Sequence, residues 1–144
     1  IKAHTVERAY LAVCIGSFKQ AEGTIDAPIG RHLADRKKMA IRPDGRQAVT
    51  HYQVLKPLRG CALIRARLET GRTHQIRVHM ASIGHPVLGD PVYGPKKSPW
   101  PVKGGQLLHA AVIGFDHPVT GERLRFEAPP EARFLNWVER LKMC

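Results

Sequence analysis

The stretch Leu68-Glu69-Thr70-Gly71-Arg72-Thr73-His74-Gln75-Ile76-Arg77-Val78-His79-Met80 gathers two arginines and two histidines where the periodicity of the chain changes. Alternating apolar and polar residues run into it, a glycine interrupts, and a helical spacing leaves it. Arginine presents a planar fork of donors that meets carboxylate or phosphate through two bonds at once. The first backbone N–H groups of a helix lack partners of their own and also favour an anion. A polar site at this corner is therefore suited to something negatively charged, with Arg72 flanking the helix start and Arg77 one turn beyond Thr73, near the same side. Tyr10 stands in a largely apolar run. It reads either as a half-buried core tyrosine or as an aromatic that stacks on a base or lends its hydroxyl to a site.

The remaining reactive side chains form no familiar catalytic pattern. His74 and His79 are five residues apart, diverge on a helix, and miss the His-Glu-x-x-His arrangement of a zinc site. The other histidines add no metal-ligand spacing, so no metal is expected. The sequence holds neither a phosphate-loop lysine motif nor a dinucleotide glycine fingerprint. Cys14, Cys61 and Cys144 are odd in number and widely spaced, without a Cys-x-x-Cys pair; Cys14 and Cys61 read as buried thiols of a reducing compartment. Asp90, between Gly89 and Pro91, reads as an acceptor of turn hydrogen bonds, and Glu69 as a tie from the local loop to an arginine.

The elements that must hold this corner follow from the pattern on either side. Ile1 to Glu7 reads as the end of a preceding element, and Arg8 to Ile15 as a central strand. Gly16 to Gly30 reads as a connection, Met39 to Arg42 as a short strand, and Pro43-Asp44-Gly45 as a turn. Ala48 to Leu55 and Cys61 to Leu68 make an antiparallel pair around Pro57 and Gly60. In the second of these, Ala62, Ile64, Ala66 and Leu68 share the core face while Arg65 and Arg67 look outward. Thr73 caps a helix from His74 to Ile83 that packs through Ile76, Met80 and Ile83. Gln106 to Phe115 and Arg123 to Ala128 form a hairpin, and a last helix after Pro130 presents Phe134, Leu135, Val138 and Leu141. Strands adjacent in sequence give an α+β class: a largely antiparallel mixed sheet with flanking helices.

A chain of 144 residues with 43% hydrophobic content can bury a real core in one domain. Its net charge of +11, from 23 Lys and Arg against 12 Asp and Glu, favours a polyanionic partner: nucleic acid first, an anionic membrane surface second. Between Arg31 and His79 twelve basic residues face three acidic ones, so the excess is local. Arg31, Arg36, Lys37, Lys38, Arg42 and Arg46 are the candidate contacts to a phosphate backbone. The bland reading is a basic, solvated face. No apolar run approaches membrane-span length, so no membrane partner is expected. Ile1 in first position reads as a start inside a longer chain.

The run Leu68-Glu69-Thr70-Gly71-Arg72-Thr73-His74-Gln75-Ile76-Arg77-Val78-His79 strongly resembles the third signature of the RluA/RluC/RluD family of RNA pseudouridine synthases. Gly84-His85-Pro86-Val87-Leu88-Gly89-Asp90-Pro91-Val92-Tyr93-Gly94 resembles its continuation. Arg8-Ala9-Tyr10-Leu11-Ala12-Val13, Ala48-Val49-Thr50-His51-Tyr52 and Leu108-His109-Ala110 fit in order and spacing. The resemblance implies an isomerase that detaches uracil from ribose at N1, turns it and rejoins it through C5, in structured RNA, ribosomal or transfer, without cofactor or metal. It implies that Tyr10 stacks on the target base near the proton transfer and that Arg77 pairs with a catalytic aspartate. Leu108, with Ile76, would wall the pocket, and Arg72, His74 and Gln75 would serve local architecture or RNA contact.

The family carries its aspartate in an Arg-Leu-Asp motif ahead of the tyrosine strand. This chain has no Arg-Leu-Asp, and Asp26, Asp35, Asp44, Asp90 and Asp116 do not match it. Residues 1–144 are therefore expected to be the C-terminal portion of a synthase catalytic domain. The N-terminal half would come from the same protein or another chain, and this chain alone would be inactive. The alternative is a catalytically degenerate RNA-binding protein of the same fold. The expected compartment is the cytoplasm, or an organelle where a targeting sequence lies upstream.

Overall fold

β1 (Glu7–Ile15) lies in the middle of a six-stranded sheet, paired antiparallel with β6 (Cys61–Leu68) on one side and β7 (Leu108–Asp116) on the other. The computed structural model describes residues 6–143; of the element expected from Ile1 to Glu7, residues 1–5 lie outside them, as does Cys144, and Glu7 belongs to β1. Beyond β6 come β5 (Val49–Leu58) and β2 (Glu22–Asp26), and beyond β7 comes β8 (Arg123–Glu127), giving the order β2-β5-β6-β1-β7-β8. A separate ribbon pairs β3 (Ile29–Arg31) with β4 (Met39–Ile41). Each of these pairings is antiparallel; β3–β4, β5–β6 and β7–β8 join consecutive strands, as hairpins allow, while β1–β6, β1–β7 and β2–β5 bring together strands distant in the chain.

The two faces of the sheet are closed by different parts of the chain. On one face Ala12, Cys14, Ala62, Ile64, Ala66 and Leu68 bury against Ile76 and Met80 of α1 (Gln75–Ser82). On the other, Val13 and Cys61 pack with Leu88, Leu107 and the Phe134 and Leu141 side chains in and just beyond α2 (Ala132–Arg140). The alternation of β6 survives only at its far end, where Arg65 and Arg67 are exposed; Cys61 is buried because α2 covers its face. Trp100, in the loop before β7, helps to close that second core.

Several boundaries differ from the sequence reading, each for a physical reason. The connection Gly16 to Gly30 contains β2 and the start of β3. β2 is an edge strand that buries Ile25 alone, too little apolar surface to produce a pattern. β5 runs through Pro57 to Leu58. β2 covers only Val49 to Gln53, so the proline lies where one side of the strand has no neighbour. Thr73 is not the cap of α1: the cap position is His74, in the left-handed region with φ 56, and no side chain caps it. Ile83 is the C-cap residue and is 38% exposed. Gly84 then takes φ 86, its N–H bonding Ala81 O while His85 N–H bonds Met80 O, a paired closure that favours glycine at that position. On α2, Leu135 faces solvent, and the packing stripe is Phe134, Trp137, Val138 and Leu141.

Candidate active site

α1 is buried along almost its whole length, Gln75 to Met80, so its polar residues must find partners inside the protein. Gln75 donates to Val49 O at 2.9 Å and to Thr50 Oγ1 at 3.0 Å, and its side-chain oxygen accepts from Thr70 Oγ1 and Arg72 N. His79 bonds Thr50 Oγ1 at 2.7 Å and Ala27 O at 2.9 Å. Because a carbonyl only accepts, His79 carries its proton on Nε2 and takes the Thr50 hydroxyl at Nδ1. Burial lowers the His79 pKa and keeps the ring neutral. These bonds fix the helix against β5 and the chain before β3.

Arg77 is then held in one orientation. Its Nε donates to Asp90 Oδ2 at 2.7 Å and its Nη2 to Asp90 Oδ1 at 2.9 Å. Oδ1 also accepts the backbone N–H groups of Val92 and Tyr93, at 2.9 and 3.0 Å. The turn that brings Asp90 there needs Gly89, which has φ 85 and whose Cβ would lie 2.7 Å from Gly105 O. Burial alone would raise the Asp90 pKa, but the Arg77 bond, the two N–H groups and the Arg77 charge together bring it below the usual carboxyl value. The same bond raises Arg77. The ring of Tyr93 lies under the guanidinium, 5.0 Å from centroid to Cζ, and adds a cation–π contact.

Asp90 thus has the expected turn role and also holds Arg77, which the sequence reading left to an absent aspartate. The pair uses Nε and Nη2, and Nη1 takes no part in it. The missed signal was geometric: α1 and its glycine closure reverse the chain, so a residue thirteen positions after Arg77 returns to its side. Glu69 was expected to reach an arginine; it pairs with His51.

A cavity of about 350 Å³ opens between these groups. Tyr10 and Arg8 enter it from β1, Leu108 from β7, Leu68 from β6, and Arg72, His74, Gln75, Ile76 and Arg77 from the corner and α1, with Gly71 and Gln106 completing the wall. The register shift between Ala9 and Tyr10 in the β1–β7 ladder lies beside it, as a bulge that re-aims a side chain would. The structure therefore brings together Tyr10, Arg77, Leu108, Ile76, Arg72 and His74. Arg72 is anchored by Nε to Gln47 O at 2.8 Å, and His74 Nδ1 lies 2.7 Å from the Tyr93 hydroxyl. An aromatic face, two apolar walls and a fixed guanidinium can hold a planar polar ring and meet a carboxylate.

The remaining basic candidates sit apart from the cavity, on and below the β3–β4 hairpin. Arg31, Arg36, Lys37 and Lys38 belong to its arm, and Arg31 Nη1 donates to Arg36 O. Arg42 is tied to Asp44 by two bonds of 2.8 Å, and Arg46 pairs by its backbone with Ile29. The hairpin docks on α1 through Ile29, Met39 and Val78, on the side of Tyr93. A larger cavity, about 600 Å³, lies among Thr24, His51, Gln53, Arg65 and Arg67, on the opposite face of β5 and β6 from α1. Among the described residues no three His, Cys, Asp or Glu side chains cluster closely enough to hold a metal ion, and no helix is long and apolar enough to cross a membrane.

The fold is that of a pseudouridine synthase catalytic domain. The structure superposes on human RNA pseudouridylate synthase domain containing 1 with a TM-score of 0.77 and 30% identity, over 86% of this chain and 54% of that one. Against human RNA pseudouridylate synthase domain containing 4 the TM-score is 0.74, with 25% identity over 96% of this chain and 64% of that one. The chain belongs to the RNA pseudouridylate synthase family, whose pattern matches residues 1–82. It is 51% identical to an uncharacterized RNA pseudouridine synthase of Bacillus subtilis over 96% of its own length. It is 47% identical to ribosomal large subunit pseudouridine synthase D of Pseudomonas aeruginosa over 94%. The chain spans 45% of the length of each of these two relatives.

Proposed function

We propose that the protein carrying this chain converts uridine to pseudouridine in structured RNA, ribosomal or transfer. The observation that carries this reading is the meeting of Tyr10, from the central strand, and Arg77, locked by Asp90, in one cavity with Leu108 and Ile76. In the reaction the bond from N1 to the ribose breaks, the uracil turns, a bond from C5 to the ribose forms, and C5 gives up its proton while N1 gains one. Nothing is oxidised or lost, so the site must supply position, charge and proton handling only.

Tyr10 would stack on the uracil while Leu108 and Ile76 confine it. Arg77, with Nε and Nη2 bound to Asp90, would offer Nη1 to the reacting carboxylate and keep it ionised. That carboxylate would come from the N-terminal half of the catalytic domain, in the same protein or on another chain. The difference in length from the relatives supports this. A base taken from a stack costs a few kcal/mol, which contacts to the pocket and to Arg31, Arg36, Lys37, Lys38, Arg42 and Arg46 would offset. A reducing compartment, the cytoplasm or the interior of an organelle, fits the free thiols Cys14 and Cys61.

A second reading is an RNA-binding protein without turnover, favoured by the absence of any carboxylate from the described cavity lining. Release of tritium from C5-labelled uridine in cellular RNA, measured with the complete protein, separates the two. Turnover supports the synthase; binding without release supports the degenerate reading.

A further inference from the structure

His74 enters α1 with φ 56 and ψ 24, a backbone region that residues other than glycine seldom take. In that conformation its ring meets Tyr93 edge-on, with an interplanar angle of 74° and Nδ1 2.7 Å from the hydroxyl. The same hydroxyl accepts the Met39 backbone N–H at 2.9 Å. A phenol has one proton to give, and burial raises the Tyr93 pKa, so the proton is retained. Among the described residues the only acceptor bonded to that hydroxyl is Nδ1 of His74. Donation of that proton to Nδ1 satisfies the Met39 N–H, the hydroxyl and the ring together, and in that arrangement the neutral imidazole has its proton on Nε2. Burial, then the charge of Arg77, lowers the His74 pKa and favours that neutral form. Nε2 has no hydrogen-bond partner among the described residues, and His74 borders the cavity of Tyr10 and Arg77.

We propose that His74 is a hydrogen-bond donor of fixed tautomer, set by Tyr93, whose Nε2–H takes an acceptor oxygen of the RNA strand seated in the cavity. This rests on the RNA reading above. A histidine free to switch tautomer would present a lone pair to that oxygen part of the time and repel it; the Tyr93 bond removes that form. Because Met39 begins β4, the bonds from Met39 N–H through the Tyr93 hydroxyl to His74 also join the basic hairpin to the cavity. The hairpin and the donor are thereby set relative to one another before RNA arrives.

The side-chain nitrogen resonances of isotope-labelled histidine in the complete protein, assigned with His74→Gln, report the tautomer without RNA. The proton is expected on Nε2, and Tyr93→Phe should mix the two tautomers. On adding an RNA hairpin with a single loop uridine, the Nε2 resonance should shift. The same hairpin made abasic at that position separates the sources of the oxygen: a shift that is lost assigns it to the base, and one that is kept assigns it to phosphate or sugar. Either supports the donor role. His74→Leu should weaken binding of the hairpin about tenfold, the scale of one hydrogen bond. His74→Gln, which keeps an N–H donor, should recover most of that loss. A proton on Nδ1 in the free protein, or an Nε2 resonance unmoved by a hairpin that binds, overturns the proposal. If the wild-type protein binds no RNA hairpin, the RNA reading itself fails, and the proposal with it.

Discussion

Arg77 keeps its charge where only 10% of its side chain meets solvent, opposite an Asp90 side chain with none exposed. Taking both ions out of water costs several kcal/mol each, which is tolerable only because both Asp90 oxygens are bonded, one of them three times. Asp90→Ala would leave a buried guanidinium unpaired and should lower the unfolding free energy by about 3–5 kcal/mol, measurable by denaturant titration. The pH dependence follows from the direction of the shift. The folded carboxyl lies below its ordinary value of 3.8, so the unfolded chain binds the proton first on acidification. The contribution of the pair is complete above that ordinary value and is lost as pH falls below it, through the depressed folded value. Acid unfolding should show this step, and Asp90→Asn should flatten it. Arg77 and Tyr10 were legible in the sequence, one from the break in periodicity and the other as a polar tip in an apolar strand. The pairing of Arg77 with Asp90, and of His74 with Tyr93, was not, because contacts across a chain reversal leave no period.

The elements that carry the site differ in how they are held. α1 is anchored by buried polar bonds, and His79 gives it a pH signature. Its folded pKa lies below the ordinary 6.5, so stability from the neutral ring is complete above that value and declines as pH falls below it. Melting temperature should fall off below that pH in the wild type and less steeply in His79→Leu. That variant should also lose about 1–3 kcal/mol by leaving the Thr50 hydroxyl and the Ala27 carbonyl unmatched. The β3–β4 hairpin carries charge. Neutralising Lys37 and Lys38 should weaken RNA binding and reduce the slope of log affinity against log salt by about 1–2, read from titrations at several ionic strengths. β1 and β6 could be read from sequence because each buries a continuous or alternating face. β2 and β3 could not, since each buries a single residue, Ile25 or Ile29. The stripe of α2 differs from the sequence reading at one position: Leu135 is apolar but faces solvent, and Trp137 packs with Phe134, Val138 and Leu141 instead.

At the scale of the molecule, two cores lie on opposite faces of one sheet, and the cavity opens beside its central strands β6, β1 and β7. Cys14 and Cys61 lie inside them, and burial raises both thiol pKa values. Neither should react with a thiol reagent until the protein unfolds, as mass spectrometry of labelled peptides would show. The chain spans 45% of its Bacillus and Pseudomonas relatives, and its cavity lining holds no carboxylate among the described residues. The isolated chain should therefore retain RNA affinity without isomerising uridine; turnover by the isolated chain would contradict that. Arg77 is expected to act on the reaction rather than on RNA capture. This is tested by measuring turnover and RNA affinity side by side for Arg77→Ala in the complete protein, with Arg77→Lys as a variant that keeps the charge beside Asp90. Turnover should fall by orders of magnitude in Arg77→Ala while affinity changes by less than about tenfold, the scale of a single hydrogen bond. Normal turnover in a folded Arg77→Ala protein would contradict it.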